Sequence, residues 1–113
     1  MALRSMLLVS VLGVVLSVPA SAQDTANATI VGAVRDTSGA VLPGVIVEAA
    51  SPALIEQTRT VMTDAEGRYR IGALRPGVYS VTFSLPGFRG VRREGLALTT
   101  GFTATVNAEL AVG

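Results

Sequence analysis

With 113 residues, nine arginines, eight acids and neither cysteine, histidine nor lysine, the chain has room for one small domain and few kinds of chemistry. The missing cysteines exclude disulfides, a thiolate metal site and a lipid-modified cysteine behind a signal sequence. A net charge of +1 with scattered arginines argues against nucleic acid, which needs a concentrated basic face.

The first segment has the layout of a secretory signal peptide over 1–22. Arg4 supplies the basic start, Met6–Val18 is an apolar run, Pro19 breaks it, and Ala20-Ser21-Ala22 is a small-residue cleavage pattern. A membrane-spanning helix needs about 20 apolar residues, and this run has 13. The mature chain is therefore expected to begin at Gln23 with no membrane span and balanced charge. Its localisation would be exported: a bacterial periplasm, the outer membrane or the exterior. A cysteine-free exported domain suits a bacterial envelope better than a eukaryotic exterior.

Residues 23–28 read as a flexible lead and 29–113 as the folded domain. Thr29–Arg35 has strand alternation, with Gly32 marking a bulge or a close backbone approach. Asp36-Thr37-Ser38-Gly39 and Leu42-Pro43-Gly44 read as turns. Val45–Ala49 is the second strand, with Val45, Val47 and Ala49 inward, and Ser51-Pro52 ends it. Glu56–Thr63 is a Thr-rich strand in which Gln57, Arg59 and Val61 share one face and Thr58, Thr60 and Met62 the other.

The strongest pattern follows. Asp64, Glu66 and Gly67 form a turn, Arg68–Ile71 alternates, Pro76-Gly77 turns, and Val78–Leu85 puts Tyr79, Val81, Phe83 and Leu85 on one face. Pro86-Gly87 leads to Phe88–Glu94, whose adjacent Arg92 and Arg93 would point to opposite faces of a regular strand. Leu96 and Leu98 share a face, Thr99-Thr100-Gly101 turns, and Phe102–Val112 is the last strand. No helical period persists beyond 22, so six or seven short strands with Gly/Pro turns predict an all-β, antiparallel, Ig-like sandwich. Its inward set is Ile30, Val34, Val45, Val47, Met62, Tyr69, Ile71, Leu74, Tyr79, Val81, Phe83, Leu98, Val106 and Leu110.

Two stretches, Gly32–Val47 (GAVRDTSGAVLPGVIV) and Thr63–Tyr69 (TDAEGRY) followed by Leu74–Val81 (LRPGVYSV) and Pro86-Gly87-Phe88, resemble the signatures of carboxypeptidase regulatory-like domains. The likeness covers 29–110. It implies a seven-stranded, prealbumin-like sandwich with no catalytic residues of its own, in a fold group that includes starch-binding domains and adhesin repeats. A signal peptide directly before such a domain resembles the start of a TonB-dependent outer-membrane receptor. The sequence stops at Gly113, which leaves a truncated receptor or a free-standing secreted relative.

Catalysis has little to use. Histidine, the usual base near neutral pH, is absent, as are a thiol nucleophile and a Schiff-base lysine, and no Gly-x-Ser-x-Gly elbow is present. Glu56, Glu66 and Glu94 stand isolated among turns, unlike a glycosidase pair. No catalytic residue and no cofactor are therefore expected. Asp64-Ala65-Glu66-Gly67 could contribute to a calcium site, but calcium takes six to eight oxygens, and a hairpin turn with Asp64 bonding its own backbone fits better. No metal is expected.

Of the five aromatics, alternation sends Tyr69, Tyr79 and Phe83 to the core, leaving Phe88 and Phe102 beside turns. The expected interaction surface is Phe88, Arg89, Arg92, Arg93 and Phe102, on the arginine-bearing Phe88–Glu94 segment or the loops around Pro52 and Gly101. The wider set Arg68, Arg70 and Arg75 could extend it into a basic patch, or serve to solubilise strand edges. The function read from the chain is a non-catalytic exported module. Its partner would be a protein or the rest of a receptor chain, and the alternative is a carbohydrate-binding module.

Overall fold

A computed structural model describes residues 27–113; the signal-peptide reading over 1–22 and most of the 23–28 lead lie outside the described residues. Eight strands follow in order: β1 (Ala28–Asp36), β2 (Ile46–Ala50), β3 (Thr58–Met62), β4 (Arg68–Leu74), β5 (Gly77–Ser84), β6 (Val91–Leu98), β7 (Thr103–Thr105) and β8 (Ala108–Leu110). There is no helix among the described residues, and so none long and apolar enough to cross a membrane.

The strands form two sheets. One has β1 at its centre, β4 on one side, and β7 and then β8 along the other; the second runs β3-β2-β5-β6. Alternation explains the layering. Ile30 and Val34 of β1, Tyr69 and Ile71 of β4, Val47 and Ala49 of β2, and Tyr79, Val81 and Phe83 of β5 all turn to one side and are buried between the sheets. Tyr69 and Phe83 meet across the layers edge to face, with ring centroids 5.7 Å apart. No buried side-chain nitrogen or oxygen among the described residues lacks a hydrogen-bond partner.

Three expectations are corrected. The sandwich is not seven-stranded and wholly antiparallel, because the expected final strand over Phe102–Val112 is broken into β7 and β8, both parallel to β1. The cause is local. Gly32 lets the chain at Val106 come so close that a Cβ there would overlap the Val106 carbonyl. That carbonyl accepts the Tyr69 hydroxyl at 2.5 Å, and Asn107 Oδ1 then accepts the Ala33 N–H at 2.9 Å in place of a backbone carbonyl.

Met62 is 59% exposed, although it was expected inside. The register pairs Val61 with buried Val47 and Met62 with half-buried Ile46. The odd residues of β3 therefore face inward, Arg59 among them, and a charge on the inner face is what disguised the pattern. Val106 packs against the core but stays half-buried at the strand break.

Phe88–Glu94 is not a strand by itself either. The strand is Val91–Leu98, and it continues through an extra residue. The pairing shifts from Tyr79↔Leu96 to Val81↔Arg93, with Gly95 at φ 72° in the bulge.

The turns behave as their chemistry requires. Asp36 Oδ1 accepts the Ser38 and Ala40 N–H groups and the Ser38 hydroxyl, and that hydroxyl bond holds its carboxyl below the usual range. Asp64 Oδ1 accepts the Glu66 and Arg68 N–H groups, both at 2.9 Å.

Candidate functional site

The five residues expected to form a surface fall in three places. Phe88 and Arg89 lie where β5 turns toward β6. Phe88 N–H donates to Leu85 O, Arg89 N–H donates to Ala111 O at 2.7 Å, and Phe88 bridges Val112. This ties the last residues across the end of the sandwich, and Phe88 packs half-buried against the core.

Arg92 and Arg93 lie on β6, an edge strand. Arg92 sits opposite Thr82 on the outer face and pairs with Glu94 at 2.6 Å. Arg93 sits opposite buried Val81, so it leaves from the inner face at the rim and reaches the Asn107 carbonyl at 3.3 Å. Phe102 is at the far end, beyond β6 and beside the start of β1, where its carbonyl accepts the Thr29 N–H; it is 48% exposed.

Phe88 and Phe102 thus sit at opposite ends of the sandwich and do not make one platform. The wider arginine set is divided as well. Arg68 and Arg70 line up with Ala33 and Val31 on the outer face of the β1-centred sheet, and Arg75 is in the β4–β5 turn. No single basic surface results.

Of two further features, the first escaped the sequence reading and the second was named there only as the loop around Pro52. Arg59, inward on edge strand β3, crosses to the other sheet. Its Nη1 donates to Gly72 O at 2.7 Å and Ala73 O at 3.2 Å, while Nε and Nη2 bond Glu56 Oε2 at 3.1 and 2.8 Å. The two carbonyls belong to a bulge in β4, where pairing shifts between Ala28↔Leu74 and Ile30↔Ile71 and Ala73 takes φ 56°. The hydrogen bond from Arg59 lowers the pKa of Glu56. Gly72 inside a strand pattern was the available signal for this bulge.

The second feature is the 51–57 loop. Leu54 is buried as a plug and Ile55 is 83% exposed. Ser51 Oγ accepts the Ala53 N–H, and Gln57 takes φ 68°. Beside it lies an open groove lined by Ala50, Ser51, Pro52, Gln57, Thr58 and Ser80, at the start of β3.

No group of three or more acids among the described residues is arranged to hold a metal. Asp64 Oδ1 accepts two N–H groups of its own turn. Burial raises the pKa of Tyr69 well above the usual phenol value and also raises that of Tyr79, whose hydroxyl donates to Arg75 O at 2.6 Å. Both phenols are fixed structural donors.

Comparison with known proteins gives this geometry a context. The chain is 40% identical over 91 residues to the TonB-dependent transporter Oar of Myxococcus xanthus, an alignment covering 80% of this chain and 8% of that protein. Among solved structures, the Bacillus anthracis TIE protein matches with a TM-score of 0.61 at 20% identity, over 77% of this chain and 17% of that one. A putative carbohydrate binding protein from Bacteroides uniformis matches with a TM-score of 0.57 at 16% identity, over 74% and 40%. At such identities the two structures speak for the fold alone. Residues 29–111 match the family described as carboxypeptidase regulatory-like domain, and the chain belongs to that family.

Proposed function

We propose that this chain is a non-catalytic, exported accessory module that binds a protein partner, as a domain of a TonB-dependent outer-membrane receptor or a free-standing relative of one. The observation that carries the reading is the 40% identity with a TonB-dependent transporter over nearly the whole domain. Because the chain spans only 8% of that transporter's length, the uptake activity of the larger protein is not assigned to this segment.

The side-chain chemistry supports a binding role. Histidine, cysteine and lysine are absent, and one carboxylate oxygen each of Asp36, Asp64 and Glu56 is already held, by its own turn in the first two and by Arg59 in the third. What the fold offers a partner is a rigid scaffold with four sheet edges, two loop-bearing ends and separated arginines. Phe88, Arg89, Arg92, Arg93 and Phe102 are three candidate contact points on that scaffold rather than one patch.

Sugar binding is the second reading, motivated by the carbohydrate binding protein of like fold. The placement of the aromatics weighs against it. Tyr69, Tyr79 and Phe83 are buried, Phe88 is half-buried, and Phe102 alone offers an exposed ring face.

The test is to express the chain in a Gram-negative host with a photo-crosslinking residue at Arg92 or Phe102, and then to fractionate the cells. The expected result is a mature chain beginning at Gln23, in the envelope fraction, crosslinked to an outer-membrane protein. Retention in the cytoplasm, or crosslinks to soluble cytoplasmic proteins only, would overturn the proposal.

A further inference from the structure

A sandwich with two open sheets has four edges, and three of them are capped at their ends, bulged or broken in this molecule. On β4, the Val34 N–H bonds Gly67 O, so by alternation Gly67, Tyr69 and Ile71 face β1 while Arg68 and Arg70 face outward. The outward groups of Arg68 are taken by Asp64, through both its backbone N–H and its carboxylate, and farther along the Gly72 and Ala73 carbonyls are taken by Arg59, so that only Arg70 between them faces out uncapped. The β6 edge is interrupted by its bulge at Gly95. The remaining edge is made of β7 and β8, three residues each, broken at Val106 and Asn107. These are the usual devices against edge pairing.

The β3 edge has one of them, the inward-pointing charge of Arg59, but no bulge, no break and, among the described residues, no bond to its outward backbone groups. Its five residues, Thr58-Arg59-Thr60-Val61-Met62, pair with β2 in unbroken register and contain no glycine or proline. Thr63 N–H bonds Val45 O at one end and Ser51 N–H bonds Gln57 O at the other. By alternation the odd residues turn their backbone groups to β2, and Thr58, Thr60 and Met62 turn theirs outward. All three are exposed. The surroundings are acidic: Glu48 is in register with Thr60, and Glu56 and Asp64 lie two residues beyond the strand ends. Of the nearby cations, Arg59 is turned inward and bonded to Glu56 and the β4 carbonyls, and Arg75 also acts on Glu56.

We infer that the β3 edge is a strand-accepting site for an extended peptide segment of a partner protein, alternating apolar or hydroxyl residues and carrying basic flanks. This rests on the reading of the chain as a protein-binding module and names where and how it binds. The added strand bonds the N–H and C=O groups of Thr58, Thr60 and Met62, and its flanking cations meet Glu56 and Asp64. Its outer side chains lie beside Met62 at one end and the groove at Pro52 at the other. A second copy fits less well, since antiparallel self-pairing about Thr60 sets Glu56 of each copy across from Asp64 of the other.

The test uses 15N-labelled protein and a synthetic peptide of alternating valine and threonine with two lysines at each end, read by amide hydrogen exchange. The expected result is exchange slowed about tenfold at Thr58, Thr60 and Met62, with Arg59 and Val61 unchanged. The same peptide with glutamate flanks, or N-methylated on its bonding edge, should give none. Thr60→Pro should abolish the effect while keeping the β2 ladder, because the N–H it removes faces outward; should that variant unfold, the N-methylated peptide remains the control. No protection at these amides, or protection on β6 instead, would overturn the proposal. So would protection that rises with protein concentration in the absence of peptide, which would mean self-pairing. Because the readout is on isolated protein, it is independent of cellular location and so separable from the failure of the export reading.

Discussion

The two flanks of the sandwich are closed by the same residue type in different ways. On one flank Arg59 of β3 reaches across to Gly72 and Ala73 of β4, with Glu56 bonded twice to its guanidinium. On the other, Arg93 of β6 reaches the Asn107 carbonyl with a single 3.3 Å bond and has no carboxylate partner among the described residues. Both arginines are inner-face residues of edge strands, placed there by pairing with Ala49 and Val81. The difference lies in what each finds across the gap. Arg59 meets a bulge with two carbonyls turned out of the ladder, whereas Asn107 has already restored the ladder on the far flank with its own side chain. An inward charge at a rim is therefore a structural latch only where the opposite sheet has acceptors left over.

The sharpest way to break the far flank is at Gly32. A methyl group at Gly32→Ala would overlap the Val106 carbonyl and crowd the Tyr69 ring. The chain break that creates β7 and β8 could then not close. A loss of about 3 kcal/mol is expected, read as a lower denaturant midpoint. Wild-type stability in this variant would mean that the close approach does not exist in solution.

The comparison itself is tested by removing the two arginines separately. Arg59→Ala leaves the Gly72 and Ala73 carbonyls without their donor and should lower stability by about 2 kcal/mol, whereas Arg93→Ala should leave the midpoint within error of the parent. The pH dependence separates them as well. The Glu56 pKa is depressed in the folded state, so its contribution is present above the ordinary carboxylate value and is lost as pH falls through the folded one. Arg59→Ala should flatten that acid limb and Arg93→Ala should not. Equal losses in the two variants would erase the distinction between the flanks.

The smallest expected loss of stability is at Tyr69. Tyr69→Phe keeps the ring against Phe83 but removes the donor to Val106 O, for about 1 kcal/mol near neutral pH. The folded-state pKa of this phenol is raised by burial, so its contribution is whole below the ordinary phenol value near 10 and disappears as pH climbs toward the folded value. The variant should therefore lose part of the alkaline unfolding seen in the parent, leaving the part due to Tyr79. An unchanged alkaline limb would show that Tyr69 ionises as freely in the folded chain as in the unfolded one.

What the sequence determined by itself was local. Period-two alternation placed Tyr79, Val81 and Phe83 inside, and aspartate and glycine chemistry placed the turns at Asp36 and Asp64, because these depend only on neighbours a few residues apart. It also pointed to Gly32 as a bulge or a close approach, without deciding which or saying to what. The tertiary structure alone decided the face of β3, the bulges at Ala73 and Gly95, the split of the last strand and the scattering of the five surface candidates. Each of these depends on register against a strand far along the chain, and one extra residue in a strand reverses every side chain beyond it. Arg59 is the clearest case. Alternation alone makes an arginine on an inner face look like an error, and only the carbonyls of Gly72 and Ala73 across the gap make it a latch.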